Sequence, residues 1–359
     1  MSSFDRIVIK VGTNVLTRTD GLLDLTNISH LVDQIVTLKA EGKDVILVSS
    51  GAVGAGLTLL PDQVGNNKVV RRQVLSAIGQ VRLMEIYRGL FANHRIFCAQ
   101  VLATKEDFRG RSHYLNMKNC FHALLRDNVI PIVNENDVIS VDELMFTDND
   151  ELAGLVGAMT NADALIILSS VDGLMDGPPE DPASQVIEEV DPDDKKWLDY
   201  ILPSRSSFGR GGMHTKFRIA QKATKVGIHT FIANGKRQNI ILDIVKDSYV
   251  GTRFVAKEAV SNVKKWIAYT EEASKGAVFI NPGAEVALCA NDKVSSLLPV
   301  GITQIEGDFQ KGDLIRIYNE EKKTIGIGIA QYGAATARQY LGIKGKKPLV
   351  HYDYLFVEN

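Results

Sequence analysis

Short apolar runs alternate with helix-like patterns over about the first 250 residues. The stretch 25–42, LTNISHLVDQIVTLKAEG, spaces its apolar residues three and four apart, as one face of a helix requires, and Gly42 suits the helix end. That face comprises Leu25, Ile28, Leu31, Val32, Ile35 and Leu38. The intervening runs are apolar throughout, which is typical of strands covered on both faces. They are RIVIKVG (6–12), DVILVSS (44–50), NVIPIVNEND (128–137), ADALIILSS (162–170) and IHTFIANG (228–235). The alternation predicts an α/β fold with a mainly parallel sheet sandwiched by helices.

The pattern changes near residue 260. GAVFINPGAEVALCAN, GITQIEGDFQKGDLIRIYNEEKKTIGIGIAQY and KPLVHYDYLFVEN are strand candidates separated by Gly, Asn and Asp turns. We therefore predict a larger α/β domain over 1–270 and a small β-rich domain over 275–359.

Composition limits the class of protein. The chain has 359 residues, 45% of them hydrophobic, and a net charge of −2, which gives no reason to expect nucleic acid or membrane as a partner. No apolar run is long enough to span a bilayer, and the N-terminus enters a strand pattern without a signal-peptide layout. The three scattered cysteines show no metal or disulfide spacing, so we expect a reducing, cytoplasmic location.

Polar and glycine residues follow several predicted strands, and ligands gather at this edge of a parallel sheet. Lys10 ends the first strand before Gly12-Thr13-Asn14 and could place a charge beside an anion, or be a surface lysine. SSGAVGAG (49–56) lacks the dinucleotide-binding order of glycines. It fits either a close backbone approach to a small substrate or a tight packing contact.

The segments NEND (134–137) and DND (148–150) crowd amides and carboxylates at the two ends of a short insertion. Asp137 could accept hydrogen bonds from an ammonium group, and Asn134 and Asn149 could donate to a carboxylate. Capping of the following helix by Asn149 or Asp150 accounts for part of the pattern.

The glycine-rich stretch FGRGGMHTK (208–216) is not a Walker A loop, because Phe217 follows Lys216 where Ser or Thr is required. Met213, Phe217, Ala220 and Ala223 fit a helical face. The loop should therefore open a helix whose N-terminus favours an anion such as phosphate, although a surface connector would share this composition.

Together these motifs resemble the amino acid kinase family, in the form that carries a C-terminal PUA domain. The resemblance rests on IVIKVGTNVL, VSSGAVGAG, PIVNENDVI with DNDELAGLVG, and GGMHTK, and on SSLLPVGITQIEGDFQKGDLIRI near the C-terminus. It covers nearly the whole chain. It implies ATP- and Mg²⁺-dependent phosphorylation of the γ-carboxylate of L-glutamate to glutamyl 5-phosphate, the first step of proline biosynthesis. It further implies a homo-oligomer, inhibition by proline and a functional link to glutamyl phosphate reductase.

The resemblance also assigns roles to individual residues. Lys10 and Lys216 would neutralise the transferring phosphoryl group, and Asp150 would orient them. The glutamate site would comprise Ser50, Gly51, Asn134, Asp137, Asp148 and Asn149. The nucleotide site would comprise Lys10, Ser169, Ser170, Arg210, Gly211, Gly212, Met213, His214, Thr215 and Lys216. We assign no metal ligand from the protein.

Several nucleotide-side residues depart from the family pattern. Ser169-Ser170 replaces the usual Thr-Asp, Met175 a tyrosine, Arg210 a threonine and His214 a serine. These changes put the phosphate donor in more doubt than the acceptor. Two alternatives stay open: a kinase of another carboxylate or carbamate, and an inert RNA-binding or regulatory protein. The second is disfavoured because residues 275–359 hold ten Lys/Arg against nine Asp/Glu.

Overall fold

The structure is a computed structural model that describes residues 4–60, 67–139, 146, 148–177, 181, 183–191, 194, 197, 212–257, 261–269, 274–290 and 295–357. Its contacts divide the chain into two compact units, Met1–Ala259 and Val260–Asn359. The limits 1–270 and 275–359 remain a prediction of the extent of the two domains. Within the described ranges, no helix is both long and apolar enough to cross a bilayer.

The first unit is built on one eight-stranded sheet. In spatial order its strands are β3 (Cys98–Ala103), β4 (Ile130–Glu135), β2 (Asp44–Ser49), β1 (Arg6–Val11), β5 (Ala164–Ser169), β7 (His229–Asn234), β8 (Gly251–Phe254) and β6 (Glu189–Val190). Every neighbouring pair is parallel except β7 with β8. The predicted mainly parallel sheet is confirmed.

Helices cover both faces of this sheet. They are α1 (Thr13–Leu16), α2 (Leu25–Ala40), α3 (Ala52–Leu59), α4 (Lys68–Ala92), α5 (Lys105–Arg109), α6 (Arg111–Arg126), α7 (Asn149–Thr160), α8 (Met213–Lys225) and α9 (Ile240–Val245). One layer contains α2 with α4 and α9, and the other contains α7 between α6 and α8.

Helix α2 shows how the periodic pattern becomes a buried face. Asp24 caps it by accepting from Asn27 N, and Gly42, at φ +80°, follows its C-cap. The predicted apolar face is buried except for Leu25, which is half exposed because it occupies the first helical position.

The pleat of β1 decides where Lys10 lies. Ile7, Ile9 and Val11 belong to the core formed with α2 and α4. Because successive side chains of a strand point to opposite faces, Lys10 emerges on the side of α7. It pairs in register with Val48 of β2, one residue before that strand ends, and with Ile167 of β5, two residues before that strand ends. The lysine therefore lies at the carboxyl edge of the sheet.

The second unit is β-rich, as predicted. Its sheet has the order β10 (Ile302–Gly307), β9 (Gly276–Ile280), β11 (Leu314–Tyr318), β12 (Thr324–Ala330) and β13 (Val350–Val357). It also contains α10 (Asn262–Tyr269), α11 (Pro282–Cys289) and α12 (Ala334–Tyr340). The run AEVALC, which we interpreted as strand, lies in α11 because Asn281 caps the helix and Pro282 suits its first position.

Candidate active site

Two lysines and one aspartate meet at the carboxyl edge of the sheet. Lys10 Nζ at the end of β1 is 2.6 Å from Asp150 Oδ1, and Lys216 Nζ in the first turn of α8 is 2.9 Å from Asp150 Oδ2. Asp150, in the first turn of α7, is fully buried, and both lysines are nearly so. The three residues predicted to be catalytic therefore form one cluster, although they are far apart in the sequence.

The charges in this cluster stabilise one another. Burial alone would raise the pKa of Asp150, but the ammonium groups of Lys10 and Lys216 hold that pKa well below its usual range. Burial likewise opposes the charged form of Lys216, yet the Asp150 carboxylate raises the pKa of this lysine above its ordinary value. The aspartate and this lysine are therefore ionised at neutral pH, despite being buried.

Asp148 has a different environment two residues earlier. Its Oδ1 caps α7 by accepting from the backbone N–H groups of Asp150 and Glu151, at 2.9 and 3.2 Å. The helix cap is thus Asp148 rather than the predicted Asn149 or Asp150. Burial, followed by repulsion from Asp150, raises the pKa of Asp148 to about 6. Its Oδ2 is buried and has no hydrogen-bond partner in the described part of the chain.

A chain of side-chain hydrogen bonds links the ends of β2 and β4 to the helices α7 and α4. Asn149 Nδ2 donates to Ser50 Oγ and to Asn134 Oδ1, both at 2.9 Å, and Asn134 Nδ2 donates to Gln80 Oε1 at 2.9 Å. Both N–H groups of Asn149 are thereby used, so its unpartnered atom is the acceptor Oδ1. The donation from Asn149 to a ligand carboxylate stays a prediction. Among the described residues, Asn134 Nδ2 uses one of its two N–H groups.

Asp137 is bound by two residues of α4, a helix that contains none of the motifs identified in the sequence. Arg72 Nη2 donates to its Oδ1, and Ser76 Oγ donates to its Oδ2 at 2.9 Å. The same Arg72 nitrogen lies 3.6 Å from Glu135 Oε2, and Glu135 Oε1 accepts from Phe146 N at 3.0 Å. These contacts tie both acidic residues of the NEND segment to α4.

The glycines of SSGAVGAG have two separate roles. Gly51 has φ +100°, a left-handed conformation at the N-cap of α3 that favours glycine. A Cβ on Gly56 would lie 2.0 Å from Leu75 O, and one on Gly79 would lie 1.8 Å from Ala52 O. These two glycines let α3 and α4 approach closely, so packing explains Gly56. The assignment of Gly51 to the substrate site stays a prediction.

On the predicted nucleotide side, α8 begins at Met213, as the pattern indicated. Gly212 at the N-cap offers no side chain to the first-turn N–H groups, which belong to Met213, His214 and Thr215. Such an N-terminus suits an anion, and Lys216 adds a cation one residue later. Arg210 and Gly211 lie outside the described residues.

The end of β5 faces the end of β7 across a hydrogen bond. Ser169 O accepts from Gly235 N at 2.9 Å, and Ser170 is exposed beside it. Sequence reasoning missed the ion pair just beyond: Asp172 accepts from Arg237 Nε and Nη2 at 2.8 and 2.6 Å. These hydrogen bonds lower the pKa of Asp172. The pair connects the two strand-end loops.

Within the described ranges, no group of three or more His, Cys, Asp or Glu side chains is placed to hold a metal ion. Both oxygens of Asp150 face lysines. Asp148 Oδ2, which has no hydrogen-bond partner among the described residues, is a carboxylate oxygen that could bind a metal ion. One such oxygen fits Mg²⁺ that is bound mainly by nucleotide phosphates, since Mg²⁺ commonly takes one or two protein carboxylates.

The parallel sheet, the two buried lysines and the helix N-terminus at its carboxyl edge fit an α/β protein that binds phosphate. The amino acid kinase family model matches residues 5–234, and the PUA domain model matches residues 276–351. The chain belongs to the amino acid kinase family. A solved carbamate kinase from Giardia lamblia, bound to AMP-PNP, has the same fold: it aligns with TM-score 0.53 and 19% identity over 72% of this chain and all of that one.

Relatives that match over nearly the full length of this chain show which members of the family it resembles. The chain is 52% identical to the glutamate 5-kinase of Bacteroides thetaiotaomicron over 99% of both chains. It is 49% identical to the glutamate 5-kinase of Chlorobaculum tepidum over 99% of this chain and 98% of that one. Within the family, the chain groups with the glutamate 5-kinases, and the resemblance drawn from its sequence motifs is confirmed.

Proposed function

We propose that this protein transfers the γ-phosphoryl group of ATP to the γ-carboxylate of L-glutamate, forming glutamyl 5-phosphate in the first step of proline biosynthesis. The observation that carries the proposal is the buried cluster of Lys10, Asp150 and Lys216. The identity to glutamate 5-kinases over the whole chain supports glutamate as the acceptor.

A carboxylate acceptor needs little chemical activation. A glutamate side chain with a pKa of about 4.3 is already ionised at neutral pH, so no general base is required. The difficulty is to bring this anion to the terminal phosphate of a polyanion. Cations and backbone donors placed where charge develops reduce that barrier, which is the main contribution of protein to phosphoryl transfer.

Lys10 and Lys216 would supply those cations. Asp150 pairs with both ammonium groups, one at each carboxylate oxygen, which would hold the two lysines in place for the substrate. The N-terminus of α8 would add backbone N–H donors from Met213, His214 and Thr215. Preorganised donors of this kind need not reorganise during the reaction, which is why they stabilise the transition state more than solvent does.

The acceptor would occupy the region beside Ser50 and Gly51. Asp137 keeps lone pairs for an ammonium group after its bonds to Arg72 and Ser76, since a carboxylate can accept about four hydrogen bonds. Asn149 Oδ1 and Asp148 Oδ2 are further acceptors, and Asn134 keeps an N–H for a carboxylate. This combination of hydrogen-bond acceptors and one donor suits a zwitterionic amino acid that carries an additional carboxylate.

The nucleotide would lie on the side of Ser169, Ser170 and Gly212, with Arg210 and Gly211 as further predicted contacts. Mg²⁺ would arrive with the nucleotide and neutralise charge on its phosphate oxygens. Asp148 would be a candidate protein ligand, because its Oδ2 has no hydrogen-bond partner among the described residues.

A hydroxylamine trapping assay tests the proposal. Purified protein with glutamate, ATP and Mg²⁺ should form glutamyl hydroxamate, because hydroxylamine captures an acyl phosphate. Parallel reactions with aspartate, acetate and carbamate test other acceptors, and one with GTP tests the donor. Absence of glutamate-dependent hydroxamate would refute the proposal. Product from carbamate or another carboxylate instead would favour the alternative kinase, and salt-sensitive RNA retention without turnover would favour the inert RNA-binding protein.

Further properties are proposals of the same kind. We propose inhibition by proline, a homo-oligomeric state, a cytoplasmic location and a functional link to glutamyl phosphate reductase. The link has a chemical reason: an acyl phosphate hydrolyses readily in water, so an enzyme that consumes it should act close to the site of its formation. Proline titration in the hydroxamate assay and sedimentation of the purified protein test the first two.

A further inference from the structure

Helix α4 carries a polar stripe, defined here as Arg72, Ser76 and Gln80. The three positions are four residues apart, so they lie on one face of the helix. Ser76 and Gln80 are buried, with exposed fractions of 4% and 7%. A buried polar side chain is costly unless it has a hydrogen-bond partner. In each case the partner is a residue of the NEND segment.

At one end of the stripe, Gln80 fixes Asn134, and a backbone group determines the direction of their hydrogen bond. Glu135 N donates to Asn134 Oδ1 at 2.9 Å, which makes that atom the carbonyl oxygen. Asn134 Nδ2 must then be the donor to Gln80 Oε1. Gln80 therefore holds the Nδ2 end of the Asn134 amide in the orientation that Glu135 N sets, while Asn149 contacts the Oδ1 end.

At the other end, Ser76 and Arg72 fix Asp137. This aspartate follows β4 outside any helix or strand, so its backbone provides little constraint on the carboxylate. Ser76 Oγ and Arg72 Nη2 each bind one of its oxygens. Arg72 also lies beside Glu135, and one cation thus offsets two neighbouring carboxylates.

We propose that the stripe of Arg72, Ser76 and Gln80 positions the acceptor-binding residues Asp137 and Asn134, and so sets the affinity for the amino-acid acceptor. None of the three residues contacts Lys10, Asp150 or Lys216. The stripe therefore acts on acceptor binding and leaves nucleotide binding and the phosphoryl-transfer step unchanged. The proposal rests on the proposed function, in that the acceptor is glutamate.

Ser76→Ala is the decisive variant. Alanine is the best helix former and differs from serine by one hydroxyl, so the variant keeps α4 while removing one bond to Asp137. Losing a hydrogen bond to a charged group should raise the KM for glutamate about tenfold. The KM for ATP and kcat should stay within about twofold of wild type, a separation that general loosening of the fold does not produce.

Arg72→Met gives a second test with a matched control. Arg71→Met removes the same charge from the neighbouring residue of α4, which is exposed. We expect a raised glutamate KM for Arg72→Met and wild-type values for Arg71→Met. Gln80→Met, which keeps the side-chain length but removes the amide, should behave like Arg72→Met.

The outcomes separate this proposal from the proposed function. If wild type forms glutamyl hydroxamate but Ser76→Ala keeps its glutamate KM within about twofold, the stripe does not position the acceptor. A parallel rise in both KM values would also overturn the proposal, because the effect would then be a general one. If wild type forms no glutamate-dependent product, the proposed function itself fails.

Discussion

Asp148 gives the protein a pH dependence that one isosteric substitution should remove. In Asp148→Asn, the amide oxygen can still accept from the N–H groups of residues 150 and 151, because asparagine caps helices as well as aspartate does. The substitution therefore removes the ionisable group without removing the cap. Any change in stability that depends on pH then reports the titration of this carboxyl group.

The sign follows from the direction of the pKa change. Burial and the nearby Asp150 raise the pKa of Asp148 from 3.8 to about 6, so the folded protein binds this proton more tightly than the unfolded chain does. Stability must therefore fall as pH rises through this window, and the cost is complete above the folded pKa. At about 1.4 kcal/mol per pKa unit, the full cost is about 3 kcal/mol. Between about pH 4.5 and about pH 7.5, the change is about 2 kcal/mol.

Thermal unfolding at a series of pH values measures this cost. The Tm of Asp148→Asn relative to wild type should rise by about 4–8 °C between those two pH values, given about 2–4 °C per kcal/mol for a domain of this size. Glu41→Gln, which removes an exposed carboxylate after α2, serves as the control and should show little change. A difference in Tm between Asp148→Asn and wild type that does not vary with pH would refute the reasoning.

Three further predictions concern catalysis, packing and the nucleotide. Lys216→Met should lower kcat by a factor on the order of 10² or more, because it removes a cation from the transition state, and near-normal turnover would contradict the assignment. Gly79→Ala should lower the Tm, since its Cβ would meet Ala52 O at 1.8 Å, whereas Gly89→Ala on the same helix meets nothing within 4 Å and should be neutral or stabilising. Equal losses in the two glycine variants would exclude the packing explanation. Arg210→Ala should raise the KM for ATP, and an unchanged value would remove Arg210 from the nucleotide site.

Much of the fold of the first unit could be predicted, because short stretches of its sequence are enough to indicate each strand and helix. Apolar runs identify covered strands, and polar residues just after them mark the edge where ligands bind. That reasoning found Lys10. Lys216 came from the glycine-rich loop that opens α8, and the role of Asp150 came from the family resemblance; the structure brings the three residues together. In the second unit the same reasoning misassigned AEVALC, because a short apolar run does not distinguish a strand from a helix.

The contacts that α4 makes with the candidate acceptor site could not be predicted from the sequence. Arg72, Ser76 and Gln80 show a spacing of four, but the spacing alone does not tell a polar stripe facing solvent from one facing a buried pocket. The packing of α4 against α3 and against the segment after β4 decides this, and the contact between the two helices depends on Gly56 of α3 and Gly79 of α4, which are far apart in the sequence. The spacing of polar residues in the sequence therefore indicated a polar face on α4, but it did not show that this face contacts the NEND segment.

The two aspartates at the start of α7 show how neighbouring carboxylates can differ in function. Asp150 forms an ion pair with Lys10 through one carboxylate oxygen and with Lys216 through the other, and an ammonium group has three N–H donors, more than one carboxylate oxygen uses. The cluster of two lysines and one aspartate keeps a net positive charge, because one carboxylate balances only one of the two cations. Asp148 lies beside this carboxylate with no ion pair of its own among the described residues, and burial together with repulsion from Asp150 raises its pKa to about 6. One aspartate thus makes it possible to bury two cations, and the other is the group whose charge stays adjustable near neutral pH.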